Sequence, residues 1–326
     1  MVKIDAAIRS AVDFLSARQL TDGEFPSVVG SDPDLAGATA PDTNYFTTPQ
    51  VLWSLGFVRD RRCARMIRRA ASFVAGGCDA DGSWRFFTNK VLRRIDPDTD
   101  TTACAAAALV ARAPDRLPSM ENVRSALLRC RDSDGRFFTW MRTTTHNDVD
   151  AVANANVLWF LRDDPAATGA ATWLTEILRS GDESKVHPYY ESPFALYHAA
   201  ARACYAGASR LLPARTAILD RVRARMRADG SFVDPLDTAF ALCTLCNLGL
   251  TADEAVARGS EALVAAQRAD GGWAATAVWN GPELPAPRSV WWGGECWTTA
   301  LCVEALARAR SARFSSTKAG ARSPVP

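Results

Sequence analysis

The sequence predicts an all-α fold, an (α/α)6 barrel or toroid of six helical hairpins, and three observations carry that prediction. First, one phrase recurs: an apolar pair followed eleven residues on by the aromatic of a Gly-x-aromatic exit. It reads Phe14-Leu15…Gln19…Gly23-x-Phe25, then Phe73-Val74…Cys78…Gly82-x-Trp84, and last Ala262-Leu263…Gln267…Gly271-x-Trp273. A repeat of this period means stacked copies of one supersecondary unit. Second, Asp-Gly pairs mark the turns at Asp22-Gly23, Asp81-Gly82, Asp134-Gly135, Asp229-Gly230 and Asp270-Gly271. Glycine just past a helix end supplies the left-handed cap that other residues resist. Third, Arg-rich segments alternate with segments apolar on every face.

The Arg-rich segments predict outer helices over about residues 4–18, 62–76, 119–131, 168–180, 211–227 and 253–267. One face of each is polar, as an outer ring requires. The apolar segments predict inner helices beginning near Thr47, Thr101, Ala151, Pro193, Thr238 and Thr298. Runs such as Thr102-Ala103-Cys104-Ala105-Ala106-Ala107-Ala108-Leu109 are buried all round and small enough to crowd together. The fourth unit keeps Trp173-Leu174 but ends in Gly181-Asp182, a decayed turn. Twelve helices and no convincing strand fill the length, giving one toroid over residues 1–312 and a disordered tail over 313–326, rich in Ser, Pro and basic residues.

Composition narrows the function classes. Net charge of +2 gives no electrostatic case for nucleic acid. No run of eighteen apolar residues is present and the N-terminus lacks a signal-peptide core, so a cytoplasmic protein without an integral membrane segment is expected. The nine cysteines are scattered through helical patterns. Only Cys243-x-x-Cys246 has ligand-like spacing, and it lies in an apolar helix without a second pair. These thiols read as small buried hydrophobes, and with three histidines no metal site is predicted.

Aligned inner helices start at one end of the barrel, so their first residues ring one mouth. Unit two brings Asp96, Asp98 and Asp100 there, and unit three brings His146, Asp148 and Asp150. Glu191 and Glu295 come from units four and six. Asp42, Asp234 and Asp237 read as acids that cap helices and complement their dipoles. Capping does not account for three acids in five residues followed by a matching pair. Carboxylates clustered at a cavity repel, so one is expected to hold its proton above the usual range, while helix N-termini oppose that shift. Tyr189-Tyr190, Trp291-Trp292 and Trp297, with Trp53, Trp140 and Trp159, supply aromatic surface expected near the mouths. Trp84 and Trp273 read as structural. His146 reads as a solvated loop residue or a proton-transfer partner of Asp148.

The repeated phrase resembles the QW repeat of the squalene–hopene and oxidosqualene cyclase superfamily, which shares its toroid with protein prenyltransferase β subunits. The resemblance covers about residues 4–310, with five of six turns recognisable. Only the sixth copy keeps the full Gln-x-x-x-Gly-x-Trp wording, and copies one, three and five end in Phe25, Phe137 and Phe232. Asp98-Thr99-Asp100-Thr101-Thr102-Ala103 resembles the Asp-x-Asp-Asp-Thr-Ala motif of class II terpene cyclases, with Thr101 in place of the third aspartate. By position the resemblance implies Asp100 as the acid that protonates an alkene, with Asp98 in support; the repeated motif Asp148-Val149-Asp150 departs from the family and gives a second candidate pair. Asp96, His146, Tyr190, Glu191, Trp291, Glu295 and Trp297, placed by register around the same mouth, are the expected substrate-binding residues. The expected substrate is a linear isoprenoid or prenylated small molecule. No cofactor is required, although a diphosphate substrate would bring Mg²⁺ to the spare mouth acids, with Arg93 and Arg94 near the phosphate.

That family usually binds substrate between two helical domains. A lone toroid would therefore form a homodimer, recruit a partner, or enclose a smaller substrate. Three other readings compete. A prenyltransferase β-type zinc site needs a late histidine, and none follows His198. A carbohydrate-active (α/α)6 hydrolase or lyase would use two mouth carboxylates as acid and base. A non-catalytic toroid would bind a prenyl or other apolar ligand, or serve as a partner subunit.

Overall fold

The computed structural model describes residues 2–90, 95–142, 147–182, 186–281 and 289–320. The outer helices are α1 (Val2–Arg18), α3 (Arg61–Gly76), α5 (Met120–Leu128), α7 (Thr168–Ser180), α9 (Arg215–Ala224) and α11 (Glu254–Ala265). They alternate with the inner helices α2 (Thr47–Leu55), α4 (Thr99–Arg112), α6 (Ala151–Leu161), α8 (Pro193–Ala206), α10 (Pro235–Asn247) and α12 (Glu295–Gly320). A 3-10 turn over Ser209–Ala214 precedes α9 and takes up the first part of the expected fifth outer helix.

Each inner helix packs on the next, and α12 closes the inner ring on α2. All eleven residues of α6 are buried, as a helix apolar on every side requires. Three inner helices begin two or three residues earlier than expected. Asp98 and Asp234 cap α4 and α10 from just outside, accepting the Thr101 and Asp237 amides, and α12 starts at Glu295. It also runs to Gly320, past the Ala312 boundary; residues 321–326 lie outside the described residues.

The turns join the two rings. In five units the backbone N–H of the turn aromatic donates to a polar side chain near the start of the inner helix. Phe25 is held by Thr48, Trp84 by Thr102, Phe137 by Asn154, Phe232 by Thr238 and Trp273 by Thr299, at 2.8–3.1 Å. The Trp84 and Trp273 indoles donate back to the Val74 and Leu263 carbonyls on their own outer helices. Trp84 and Trp273 are thus the structural residues that the repeat demands. Gln267 links the sixth turn to α1, donating to the Gly271 and Ala7 carbonyls. Gly271 faces α1 directly, and this contact closes the outer ring.

Four short strands correct the expectation of no sheet: β1 (Ser27–Gly30), β2 (Thr39–Asp42), β3 (Ala277–Asn280) and β4 (Trp291–Gly293). They pair antiparallel in the order β2-β1-β4-β3, with Val29 opposite Trp292 and a bulge between Ala277 and Trp279. None exceeds four residues, so alternation had no length over which to show. The sheet joins the loops of the first and last units, a second closure beside the Gly271 contact. Asp42 lies in β2 and is not a helix cap. Asn44 takes that place, accepting the Phe46 and Thr47 amides. Asp237 accepts the Ser192 hydroxyl, while Asp234 does the capping. All nine cysteines are free, and Cys243 and Cys246 are buried. No helix among the described residues is long and apolar enough to cross a membrane.

Gly271 has φ of +88°, and a Cβ there would lie 2.4 Å from the Ser10 carbonyl oxygen. Gly271→Ala is expected to cost about 1–3 kcal/mol through strain and displacement of α1. Gly76→Ala is the control, because its Cβ would meet nothing within 4 Å. Thermal unfolding should separate the two by several degrees, and equal melting temperatures would contradict this account of closure.

Candidate functional site

The mouth at the inner-helix N-termini opens on a cavity of roughly 800 Å³, open end included. Its wall is aromatic: Phe46 at the start of α2, Phe86 and Phe87 after the second turn, Trp140 after the third, Trp279 on β3 and Trp292 on β4. The rings lock one another edge to face, Phe46 to Trp279 at 5.1 Å and Phe86 to Trp292 at 5.9 Å between centroids. Such contacts each add about 0.5–1.5 kcal/mol beyond simple burial. Asp98, Asp100 and Thr101 bring carboxylates and a hydroxyl into this wall from the N-terminus of α4.

The position of that N-terminus is fixed on both sides. The Thr102 hydroxyl holds the Trp84 amide at 2.9 Å, two residues after Asp100. On the other side Thr99 N donates to the Thr139 carbonyl at 2.9 Å, and Met141 N donates to the Pro97 carbonyl at 2.9 Å. Asp98 Oδ1 accepts the Thr101 amide at 2.6 Å, while its Oδ2 is buried without a hydrogen-bond partner. Burial pushes the Asp98 carboxyl up to about 7, and the adjacent Asp100 charge adds to the rise.

Asp100 is held differently. Its Oδ2 accepts the Tyr190 hydroxyl at 2.5 Å and its Oδ1 accepts the Asn156 amide at 2.7 Å. The Asn156 carbonyl oxygen in turn accepts from buried Arg202 at 2.8 Å, whose other Nη donates to Gln50 at 2.6 Å. Arg202 also lies 3.7 Å from the centroid of the Trp159 ring. Burial raises the Asp100 carboxyl, against the Tyr190 and Asn156 hydrogen bonds and the Arg202 charge. Burial likewise holds the Tyr190 phenol neutral.

Not every expected residue reaches this cavity. Asp150 is fully buried as the cap of α6, accepting the Val152 and Ala153 amides at 2.7 and 2.9 Å. Burial pushes its carboxyl up to about 8. Asp148 stands behind the wall and accepts the hydroxyl of Tyr189, which lines the cavity. Asp96 is exposed and pairs with Arg142 at 3.9 Å. Glu191 accepts from Asn280, a lining residue, at 2.8 Å and from the Trp291 indole at 2.9 Å, so Trp291 belongs to the rim. Trp297 is buried one layer back, against Trp279, Phe46 and Phe240. Glu295 departs from the expected rim: Arg268 and Arg18 hold it at 2.7 and 3.0 Å, away from the lining residues. Trp53 and Trp159 also depart from it. They sit late in α2 and α6, around a second cavity with Arg112 and Tyr205. His146, Arg93 and Arg94 lie outside the described residues.

Sequence reasoning missed Phe46, Phe86, Phe87, Trp279, Asn156 and Arg202. Asn156 and Arg202 carried a readable signal, a polar residue within an otherwise apolar inner helix. The Phe and Trp contributors come from variable loops and a helix edge, where no periodicity marks them.

No family model matches the chain, and no curated protein matches it. Solved structures do. A protein from Actinoplanes superposes with a TM-score of 0.75 at 19% identity, covering 94% of this chain and 99% of that one. The type II terpene cyclase MstE from Scytonema superposes at 0.70 with 18% identity, over 95% and 99% of the two chains. The match spans nearly the whole of both chains. An unsaturated glucuronyl hydrolase specific for heparin also matches, at 0.64 and 14% identity over 96% and 98%. At these identities the likeness establishes the α/α-toroid fold that cyclases and a sugar hydrolase share.

Asp150 offers a test of the buried-acid electrostatics. Its folded value near 8 stands above the unfolded value of about 3.9, so the folded state retains a proton that the unfolded chain releases. That contribution is full below about pH 4 and is lost as pH rises through about 8. Asp150→Asn keeps a capping oxygen but removes the titration. Urea unfolding should show wild type losing more stability than the variant between pH 5 and pH 8.5, by on the order of 1 kcal/mol or more. Identical pH slopes would contradict the assignment.

Proposed function

We propose that this protein is a class II terpene cyclase-like enzyme, in which Asp100 protonates an alkene of a linear isoprenoid and starts a carbocation cyclisation. The observation that carries the reading is the Asp98–Asp100 pair in an aromatic-walled cavity, with Asp100 fastened by Tyr190 and Asn156. Burial raises both carboxyls, that of Asp98 to about 7, which favours a proton shared within the pair. Once Asp100 gives that proton to the terminal double bond, the two hydrogen bonds and the Arg202 charge behind Asn156 stabilise the carboxylate left behind. The same groups therefore stabilise the conjugate base in the transition state, while burial raises the carboxyl beforehand. The alkene π electrons form the new C–H bond and leave a tertiary cation. The faces of Phe46, Phe86, Trp279 and Trp292 stabilise it by cation–π attraction, worth about 2 kcal/mol where water is excluded.

The apolar, aromatic lining of the cavity suits the hydrocarbon chain of an isoprenoid. A variant of MstE has been captured with geranylgeranyl dihydroxybenzoate as substrate, which makes a prenylated arene the natural first probe. No step uses a metal, and exposed Asp96 pairs with Arg142. The hydrolase reading shares the fold, but a wall of Phe and Trp rings meeting edge to face suits a hydrocarbon chain better than a polar sugar.

Incubation with farnesyl and geranylgeranyl diphosphates and with geranylgeranyl dihydroxybenzoate should convert at least one to a cyclic isomer. Asp100→Asn is expected to lower that conversion by about 100-fold or more. Tyr190→Phe, which removes one donor to the conjugate base, should lower kcat by about 10-fold with the fold intact. Unchanged turnover in Asp100→Asn would overturn its role, and no conversion of any probe by wild type would overturn the reading.

A further inference from the structure

A cyclisation that begins with a proton gained ends with a proton lost, and the Asp98–Asp100 pair accounts only for the first step. Tyr189 and Tyr190 are adjacent in sequence and both line the cavity, yet their hydroxyls go to different carboxylates. Tyr190 donates to Asp100, and Tyr189 donates to Asp148. The Tyr189 oxygen also accepts the Trp140 indole N–H at 3.3 Å. Asp148 Oδ1 is buried without a hydrogen-bond partner, although the residue as a whole is half-buried.

This arrangement is rigidly built. Asn147 brackets Trp140, accepting its backbone N–H at 3.0 Å and donating to its carbonyl at 2.7 Å. The Asp148 carbonyl accepts the Thr139 amide at 2.8 Å, and the Tyr189 carbonyl accepts the Asn280 amide at 2.8 Å. The phenol, the indole and the carboxylate are therefore fixed to three different segments of the wall. A phenol whose hydrogen already lies on a carboxylate can accept a second proton at oxygen while passing its own onward.

We propose that Tyr189, backed by Asp148, takes the proton that ends the cascade. The claim rests on the cyclase reading above. In the step, a C–H bond next to the final cation breaks and its electron pair becomes the new C=C bond. The proton goes to the Tyr189 oxygen as the original phenolic hydrogen moves to Asp148. Half-buried Asp148 then returns a proton to solvent. One proton enters from Asp100 and one leaves through Tyr189, so substrate and product are isomers. Tyr189 meets the reacting carbon, and Asp148 acts through it as a positioning and relay residue.

The test is product analysis of wild type, Tyr189→Phe, Asp148→Asn and Asp148→Glu with whichever prenyl probe wild type converts. Tyr189→Phe and Asp148→Asn should each slow consumption by up to about 10-fold. Both should shift the products toward other alkene isomers or water-quenched alcohols. Asp148→Glu should restore the wild-type product. Circular dichroism identifies any variant that does not fold, and the remaining variant of the pair then decides. Conversion by both with the wild-type product profile would overturn the Tyr189–Asp148 role while leaving the cyclase reading intact. Conversion by no protein, wild type included, would overturn the cyclase reading itself.

Discussion

The structure depends on one repeated hydrogen bond, from the backbone N–H of a turn aromatic to a threonine or asparagine near the start of an inner helix. Each is worth about 1 kcal/mol net, a modest contribution to stability. Its larger effect is geometric. The turn aromatic is buried between outer helices, so the bond fixes the height of each inner helix relative to the outer ring. In unit two it seats Thr102, and Asp100 lies two residues before Thr102 at the mouth. The turns thus set the acid's position as well as holding the outer ring.

Around that fixed point, burial and hydrogen bonding oppose each other and give nearby aspartates different roles. Asp150 spends its Oδ1 on two backbone amides and is sealed from the cavity, which makes it a cap with a high proton affinity. Asp98 also caps a helix, but its second oxygen has no partner and it faces the cavity with Asp100. Asp100 makes no backbone cap. Side chains from two other inner-ring units reach it, and Arg202 supplies charge from behind. Helix-end position alone therefore does not define a chemical role; the partners of each oxygen do.

Much of this was legible in the sequence because the governing signals are periodic. The Gly-x-aromatic spacing marks the turns, and the apolar runs mark the starts of the inner helices to within three residues. Asp98, Asp100 and Tyr190 stood out because a shared register places inner-helix starts at one mouth. Glu295 satisfied the same register, yet Arg18 and Arg268 draw it outward, a pairing between segments far apart in the chain. The bond between turn and inner helix was hidden because its partners lie anywhere from 6 to 26 residues apart, across loops of unrelated length. The sheet and the aromatic wall were hidden for a related reason. Both are assembled from short loop segments of different units, and their pairing is decided by closure of the ring.

The most direct test of the central claim is turnover in D2O, followed by mass spectrometry and NMR of the product. If the buried pair starts the reaction by protonating an alkene, the product will carry one deuterium on the carbon attacked, and Asp100→Asn will yield none of it. Conversion of an isoprenoid probe with no deuterium in that position would contradict the account.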